Sequence, residues 1–219
     1  VAMLMYTSGT TAVPKGCPIT HEALVRTAVQ AGRTRFEFTH EDVLWDPLPL
    51  FHMSSILPMI GVLDAGATYV TLTHIDPVVA LRQIGEERCT VNFATFPAVT
   101  LMLLNHPDFH PSIFEPMRLM NNVALPEALQ EIAEKLPGSK HISAYGCTEI
   151  GGVICFNEPD DPLEKRFTTC GRPFRGIDVE IRDIETGEPV ATGERGEIWV
   201  RGYNLFEGYY KDPVKSAAT

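Results

Sequence analysis

The sequence is short of cysteine at metal-binding or disulfide-framework spacing. Its five cysteines, Cys17, Cys89, Cys147, Cys155 and Cys170, are odd in number and form no C-x-x-C pair. They argue against a stapled secreted fold and against a zinc site, and a reducing cytoplasmic setting is expected. Positive charge is scarce as well. Lys and Arg total 18 against 28 Asp and Glu, a formal net charge of -10. A nucleic-acid partner is therefore not expected, because binding a phosphate backbone needs a basic footprint that displaces counterions. Long apolar runs are also missing: Met53 to Leu72, the most apolar stretch, is interrupted by Pro58 and Asp64 and holds two glycines that read as turns. No transmembrane segment is predicted. Internal repeats and low-complexity segments are lacking too.

What is present is ordinary globular material, 44% hydrophobic and 21% charged, enough for a sizeable core. From Val1 to about Tyr145, β-rich runs alternate with helix-patterned segments, which predicts an α/β fold with a mainly parallel sheet flanked by helices. Strands are expected near Val1–Tyr6, Val43–Leu48, Ala67–Leu72, Val91–Thr95, Met117–Met120 and His141–Ala144. Helices are expected over His21–Gly32, with Leu24, Val25, Ala28 and Val29 on one face, and over Pro77–Cys89, with Val78, Leu81, Ile84 and Arg88 at helical spacing. After about Cys170, alternating runs such as Asp178–Arg182 and Glu197–Arg201 around tight turns predict a small antiparallel β subdomain. The chain thus divides into a core over residues 1–169 and a β-rich unit over 170–219. Asn157–Lys165 reads as a surface loop. Val1–Tyr6 resembles a buried strand without a lead-in, and Asp212–Thr219 the opening turn of a helix with Pro213 at its first position. Both ends read as cuts in a longer protein.

The densest chemistry lies in Tyr6-Thr7-Ser8-Gly9-Thr10-Thr11-Ala12-Val13-Pro14-Lys15-Gly16, which places four hydroxyls, two glycines and a lysine directly after a strand. Hydroxyl and backbone N–H groups donate to phosphoryl oxygens, glycine lets the backbone approach, and lysine supplies a point charge. A Walker A loop is excluded, since Pro14 stands where that motif needs glycine and Gly16 where it needs a hydroxyl. A second cluster, Ala144-Tyr145-Gly146-Cys147-Thr148-Glu149, puts an aromatic, a hydroxyl and a carboxylate at a strand's C-terminal end, where open α/β sheets hold their ligands.

Together these stretches resemble motifs of the adenylate-forming (AMP-binding) superfamily, which includes acyl-CoA synthetases and peptide-synthetase adenylation domains. The first resembles its phosphate loop, [YF]-T-S-G-[ST]-T-G-x-P-K-G, with Ala12 at a glycine position, and the second its Y-G-x-T-E motif. Pro47-Leu48-Pro49-Leu50-Phe51-His52 looks like the P-L-x-H segment, while Gly171-Arg172-Pro173 and Gly196-Glu197-Ile198-Trp199-Val200-Arg201-Gly202 with Gly208-Tyr209-Tyr210 look like scaffold motifs further on. The resemblance implies that Thr7, Ser8, Gly9, Thr10, Thr11 and Lys15 bind the phosphates of ATP. It also implies that Tyr145 lies against the adenine, Gly146 belongs to the same nucleotide site, Thr148 bonds the α-phosphate, Glu149 holds Mg2+, and His52 sits near the acyl carboxylate. Lys15, Thr148, Glu149 and His52 are the catalytic candidates.

Where many members carry G-G-A-P-L, this chain has Met120-Asn121-Asn122-Val123-Ala124-Leu125-Pro126. Asn121 and Asn122 are accordingly candidate substrate-binding residues, and a narrower, more polar acid pocket is expected. The implied partners are a small carboxylic acid, ATP and coenzyme A. A carrier-protein acceptor and a non-catalytic nucleotide-binding relative remain open beside this reading. The resemblance further implies that the ribose-binding aspartate, the hinge and the lid lysine of such an enzyme lie outside these 219 residues.

Overall fold

The structure, a computed structural model, describes residues 1–7 and 13–217. Its centre is a five-stranded, all-parallel sheet in the order β4-β3-β5-β6-β7. The strands are β3 (Val43–Asp46), β4 (Thr68–Thr71), β5 (Val91–Thr95), β6 (Leu119–Asn122) and β7 (Lys140–Ile142). Side chains alternate across a strand, so adjacent residues feed two different cores. Leu44, Val91, Phe93, Leu119 and Ile142 pack toward α1 (His21–Ala31) and α2 (Met53–Ala65). Trp45, Ala94 and Met120 pack toward α3 (Pro77–Glu86), α4 (Pro97–Leu104) and α5 (Pro126–Lys135). Burial on both faces is fullest in the inner strands β5 and β6, whereas the edge strand β4 is mostly exposed or half-buried.

Several sequence expectations shift. The first strand does not join the parallel sheet: β1 (Met3–Thr7) pairs antiparallel with β2 (Lys15–Ile19), so the two ends of the phosphate-loop candidate lie on paired strands. β2 carries Gly16 and Pro18, which hid it from a propensity reading. In α1 the buried face is Ala23, Leu24, Thr27, Ala28 and Ala31, and Val25 is exposed. The chain then continues through a π-helical turn, Gly32–Phe36. α3 stops at Glu86, because Arg88 adopts a left-handed φ of 50°. Gly61, read as a turn residue, lies inside α2, as does Pro58. None of the helices is long and apolar enough to cross a membrane among the described residues. The end of the expected 157–165 loop begins α6 (Leu163–Thr168).

Antiparallel pairing takes over beyond the sheet. β8 (Ala144–Tyr145), β9 (Cys155–Phe156) and β10 (Arg172–Pro173) form one sheet in the order β10-β9-β8. β11 (Ile177–Arg182) and β12 (Glu197–Gly202) form another, as expected. α7 (Pro213–Ala217) starts on Pro213.

One ion pair ties the helical layer to the sheet. The buried Asp42 carboxylate accepts from Arg118 Nε at 2.8 Å and Nη2 at 2.9 Å, and from Thr90 Oγ1 at 2.7 Å. Arg118 also donates to the Phe36 carbonyl at 2.7 Å. Burial opposes ionisation of Asp42, but the Arg118 hydrogen bonds and the Thr39 N–H outweigh it and hold its carboxyl below the usual range. Arg118→Ala strands that carboxylate and is expected to cost about 2 kcal/mol in urea denaturation at neutral pH. Because the Arg118 side chain is 38% exposed, the loss falls short of that for a fully buried pair. A depressed carboxyl contributes stability above its unfolded pKa and loses it as pH falls through the folded one. The deficit should therefore shrink below about pH 4.

Candidate functional site

The site gathers at the C-terminal ends of the parallel strands, where the loops after β5, β6 and β7 meet the β1–β2 hairpin. The hairpin register sets Thr7 opposite Lys15, flanking the loop. Ser8, Gly9, Thr10, Thr11 and Ala12 lie outside the described residues. The Thr7 hydroxyl is buried with no hydrogen-bond partner among the described residues.

Lys15 is drawn to the second motif by a residue that the sequence reading left in the scaffold. Lys15 Nζ donates to the Tyr209 hydroxyl at 2.9 Å, and that hydroxyl donates to Glu149 Oε1 at 2.8 Å. The ammonium also stands 4.3 Å from the Tyr209 ring centroid. Tyr209 is only 7% exposed. Its burial pushes the phenol pKa up, so the proton that bridges to Glu149 stays in place at neutral pH. The hydrogen bond to Tyr209 likewise raises the Lys15 pKa and keeps it cationic. The two motif residues, 134 positions apart in the numbering (149 minus 15), thereby sit one phenol oxygen from each other. The only sequence signal for Tyr209 was its place in Gly208-Tyr209-Tyr210.

Thr148 and Glu149 occupy a short 3-10 turn, Thr148–Ile150, immediately after β8. Gly146 precedes it where no side chain fits: a Cβ there would fall 2.0 Å from the Gly152 carbonyl oxygen. Tyr145, 39% exposed, borders two hollows at once. One is a cleft of about 730 Å3 whose walls include Glu149, Tyr209, Trp199, Glu197 and Glu207. The other is a cavity of about 320 Å3 between α1, α2 and the sheet.

The cavity is apolar. Its walls include Ala28, Phe36, Met53, Leu57, Phe93 and Phe156, with Asn121, Thr95 and Ser54 as its polar points. Phe36 packs edge-on to Phe156 at 5.2 Å and stacks on Phe38 at 5.3 Å, closing one side. The two candidate asparagines part company here. Asn121 borders the cavity, accepting from Thr95 Oγ1 at 3.2 Å and donating to the Ile142 carbonyl at 3.4 Å. Asn122 points through the other face and accepts from Thr100 Oγ1 of α4 at 2.7 Å. A polar pocket was inferred from both side chains, and strand alternation leaves only one in it. Thr95 holds a left-handed φ of 56°, an unusual state for a β-branched residue and a sign of strain beside the cavity.

His52 does not reach the Lys15, Tyr209 and Glu149 group. It is exposed at the N-cap of α2, makes no side-chain capping bond, and packs against Phe51 at 4.8 Å between ring centroids. The next residues, Met53 and Ser54, line the cavity. Among the described residues no cluster of three or more His, Cys, Asp or Glu forms a ready-made metal cage.

The chain is similar in sequence and fold to known proteins. A profile of the AMP-binding enzyme family matches residues 1–210. YngI of Bacillus subtilis, provisionally named an acyl-CoA synthetase, is 33% identical over 97% of this chain and 39% of its own length. 4-Coumarate-CoA ligase 1 of Narcissus pseudonarcissus is 32% identical over the whole of this chain and 42% of its own length. The ATP-bound crystal structure of MatB from Rhodopseudomonas palustris superposes with a TM-score of 0.87 at 28% identity, covering 98% of this chain and 42% of that one. The chain spans about two fifths of the length of the curated relatives it matches. With a profile match over residues 1–210 and relatives at 32–33% identity across nearly all of its length, the chain belongs to the AMP-binding enzyme family, the adenylate-forming enzymes among which acyl-CoA ligases are counted.

Proposed function

We propose that the intact protein is a carboxylic acid ligase that activates an apolar acid with ATP and passes the acyl group to coenzyme A. A carboxylate oxygen of the acid attacks the α-phosphorus of ATP and pyrophosphate leaves. The thiol sulfur of coenzyme A then attacks the acyl carbonyl, and AMP departs. The observation that carries this reading is the position of Tyr145, which walls both the apolar cavity and the cleft that holds Glu149 and Tyr209. An acid in the cavity would present its carboxylate at that shared wall, toward phosphates held by the hairpin loop. Such juxtaposition makes positioning the main catalytic device, with charge neutralised by fixed groups.

Lys15 would meet the phosphates as a cation, and the unpartnered Thr7 hydroxyl offers a donor at the loop's edge. Ser8, Gly9, Thr10 and Thr11 would supply further donors, Gly146 and Tyr145 the adenine's surroundings, and Thr148 a bond to the α-phosphate. Glu149 is a fitting single protein ligand for Mg2+, an ion commonly held by one or two carboxylates plus phosphate and water oxygens. When bound, that ion would neutralise phosphate charge. His52, beside the cavity-lining start of α2, would sit near the acid, and Asn121 is the polar contact available along its length.

Coenzyme A as acceptor is supported by the names of the relatives, which are CoA ligases and acyl-CoA synthetases. The test is a substrate panel in acid-dependent ATP-pyrophosphate exchange, followed by thioester formation with coenzyme A. Aryl and medium-chain acids should show KM values at least about tenfold below those of short dicarboxylic acids, because each methylene buried in an apolar pocket contributes appreciably. A preference for the dicarboxylic acids would contradict the reading.

A further inference from the structure

Of the two buried aspartates that the mechanism above leaves unused, Asp42 is paired with Arg118 and Asp46 is not. Asp46 closes β3 directly before the Pro47–His52 segment and is fully buried. Its Oδ1 accepts the Leu48 N–H at 2.9 Å, which shapes the turn into that segment. Its Oδ2 meets Ser55 Oγ of α2 at 3.0 Å and the Tyr69 hydroxyl of β4 at 2.9 Å. Ser55 Oγ lies a further 2.8 Å from the Tyr69 hydroxyl and 3.0 Å from the Leu48 carbonyl oxygen.

Counting protons shows what this knot can do. The contacts among Asp46 Oδ2, Ser55 Oγ, Tyr69 OH and Leu48 O are all at hydrogen-bond distance, yet each hydroxyl has a single proton to donate. With Asp46 ionised, Ser55 and Tyr69 both turn to the carboxylate, and the Leu48 carbonyl loses its side-chain donor. With Asp46 protonated, the carboxyl donates to one of the hydroxyls, and Ser55 is free to donate to Leu48.

We propose that Asp46 is a positioning residue whose proton sets the Pro47–His52 segment and the first turn of α2, and with them the wall of the acid site. The proposal rests on the reading of the apolar cavity as that site. Met53, Ser54 and Leu57, on either side of Ser55, are cavity walls, so the turn that Ser55 anchors is the one the acid would touch.

Among the described residues, the elements around Asp46 bring no cation to it. β4 contributes Tyr69, which burial keeps protonated. β5 carries no ionisable side chain, and the Pro47–His52 segment carries only His52. The one charged residue of α2, Asp64, sits at its far end in a pair with Arg33 at 2.8 Å. Burial accordingly pushes the Asp46 carboxyl up to about 6, against the Leu48, Tyr69 and Ser55 hydrogen bonds that favour its charge.

The experiment uses the intact protein with its aspartates selectively 13C-labelled, beside Asp46→Asn and Tyr69→Phe. The carboxyl resonance lost in Asp46→Asn should titrate near 6, and a midpoint in the ordinary aspartate range near 3.9 would overturn the proposal. Tyr69→Phe removes a donor to the carboxylate and should move that midpoint higher; an unmoved midpoint counts against the knot. Amide hydrogen exchange over residues 47–55 is then compared between wild type and Asp46→Asn at each pH. The two should match below about pH 5, and wild type should exchange about fivefold faster above about pH 7, the scale of one hydrogen bond. A ratio independent of pH refutes the coupling. The KM for the acid should rise by about the same factor through this range in wild type and stay low in Asp46→Asn, while the KM for ATP shows no step. A protein that fails to activate any acid sinks the proposed function, and the titration and exchange measurements still decide the role of Asp46.

Discussion

Glu149→Ala in the intact protein should abolish acid-dependent ATP-pyrophosphate exchange, a loss of at least about 100-fold. The expectation follows from how few groups could stand in for Glu149. It is the carboxylate joined to Lys15 through Tyr209, a link shared by neither Glu207 on the same cleft nor Glu197, which the Trp199 indole N–H engages at 2.8 Å. With no clustered set of metal-ligating side chains among the described residues, a Mg2+ ion held as proposed would, without Glu149, have phosphate and water oxygens alone. Tyr209→Phe serves as the graded control. It keeps the ring under Lys15 but removes the oxygen that spaces the ammonium from the carboxylate. A smaller loss, about tenfold, is expected there, since Lys15 and Glu149 both remain and only their alignment suffers. Exchange that survives in Glu149→Ala at the wild-type rate would remove Glu149 from the mechanism. Equal losses in the two variants would instead mean that alignment, rather than the carboxylate itself, is what the reaction needs.

The parts of this molecule that could be read in advance are those where chemistry and periodicity are local. β5 at Val91–Thr95 and the start of α1 at His21 stand where their patterns put them, because two-sided burial and helical spacing leave a mark within a few residues. β2 left no such mark, being five residues that contain both a glycine and a proline, and its existence depends on pairing with β1. The asparagine pair shows another limit. Neighbouring residues read as one polar patch, whereas a strand sends Asn121 and Asn122 to opposite faces. Tyr209 was the least legible of all, since its value comes from two partners that are 194 and 60 residues away in the chain. Asp46 likewise looks like any acidic residue before a proline until Ser55 and Tyr69 are seen to close around it.

Scaffold glycines carry the second large effect. Gly171→Ala is expected to destabilise the fold by at least about 3 kcal/mol, where most single substitutions cost about 1. Gly171 enters β10 with a φ of +80°, and a Cβ on it would lie 1.9 Å from the Phe156 carbonyl oxygen and 2.2 Å from the Asn157 backbone nitrogen. Neither atom can swing aside as a side-chain tip could. Phe156 belongs to β9, the strand that β10 pairs with, and Asn157 directly after it is itself fixed, its backbone N–H donating to the Ser143 carbonyl at 3.0 Å. Gly187→Ala separates the causes. That glycine also has a positive φ, +72°, but a Cβ on it meets nothing within 4 Å, so its substitution should cost only the conformational penalty of about 1 kcal/mol. The difference between the two variants in urea denaturation thus isolates the backbone clash from the dihedral cost. Equal losses would show that the strand yields to the methyl group. Where the clash instead forces the strand aside at a cost, the displacement reaches the cavity directly, because Phe156 is one of its walls and packs on Phe36 and Phe93. Whatever folded Gly171→Ala protein remains should then bind the acid more weakly, whereas Gly187→Ala should bind it as wild type does.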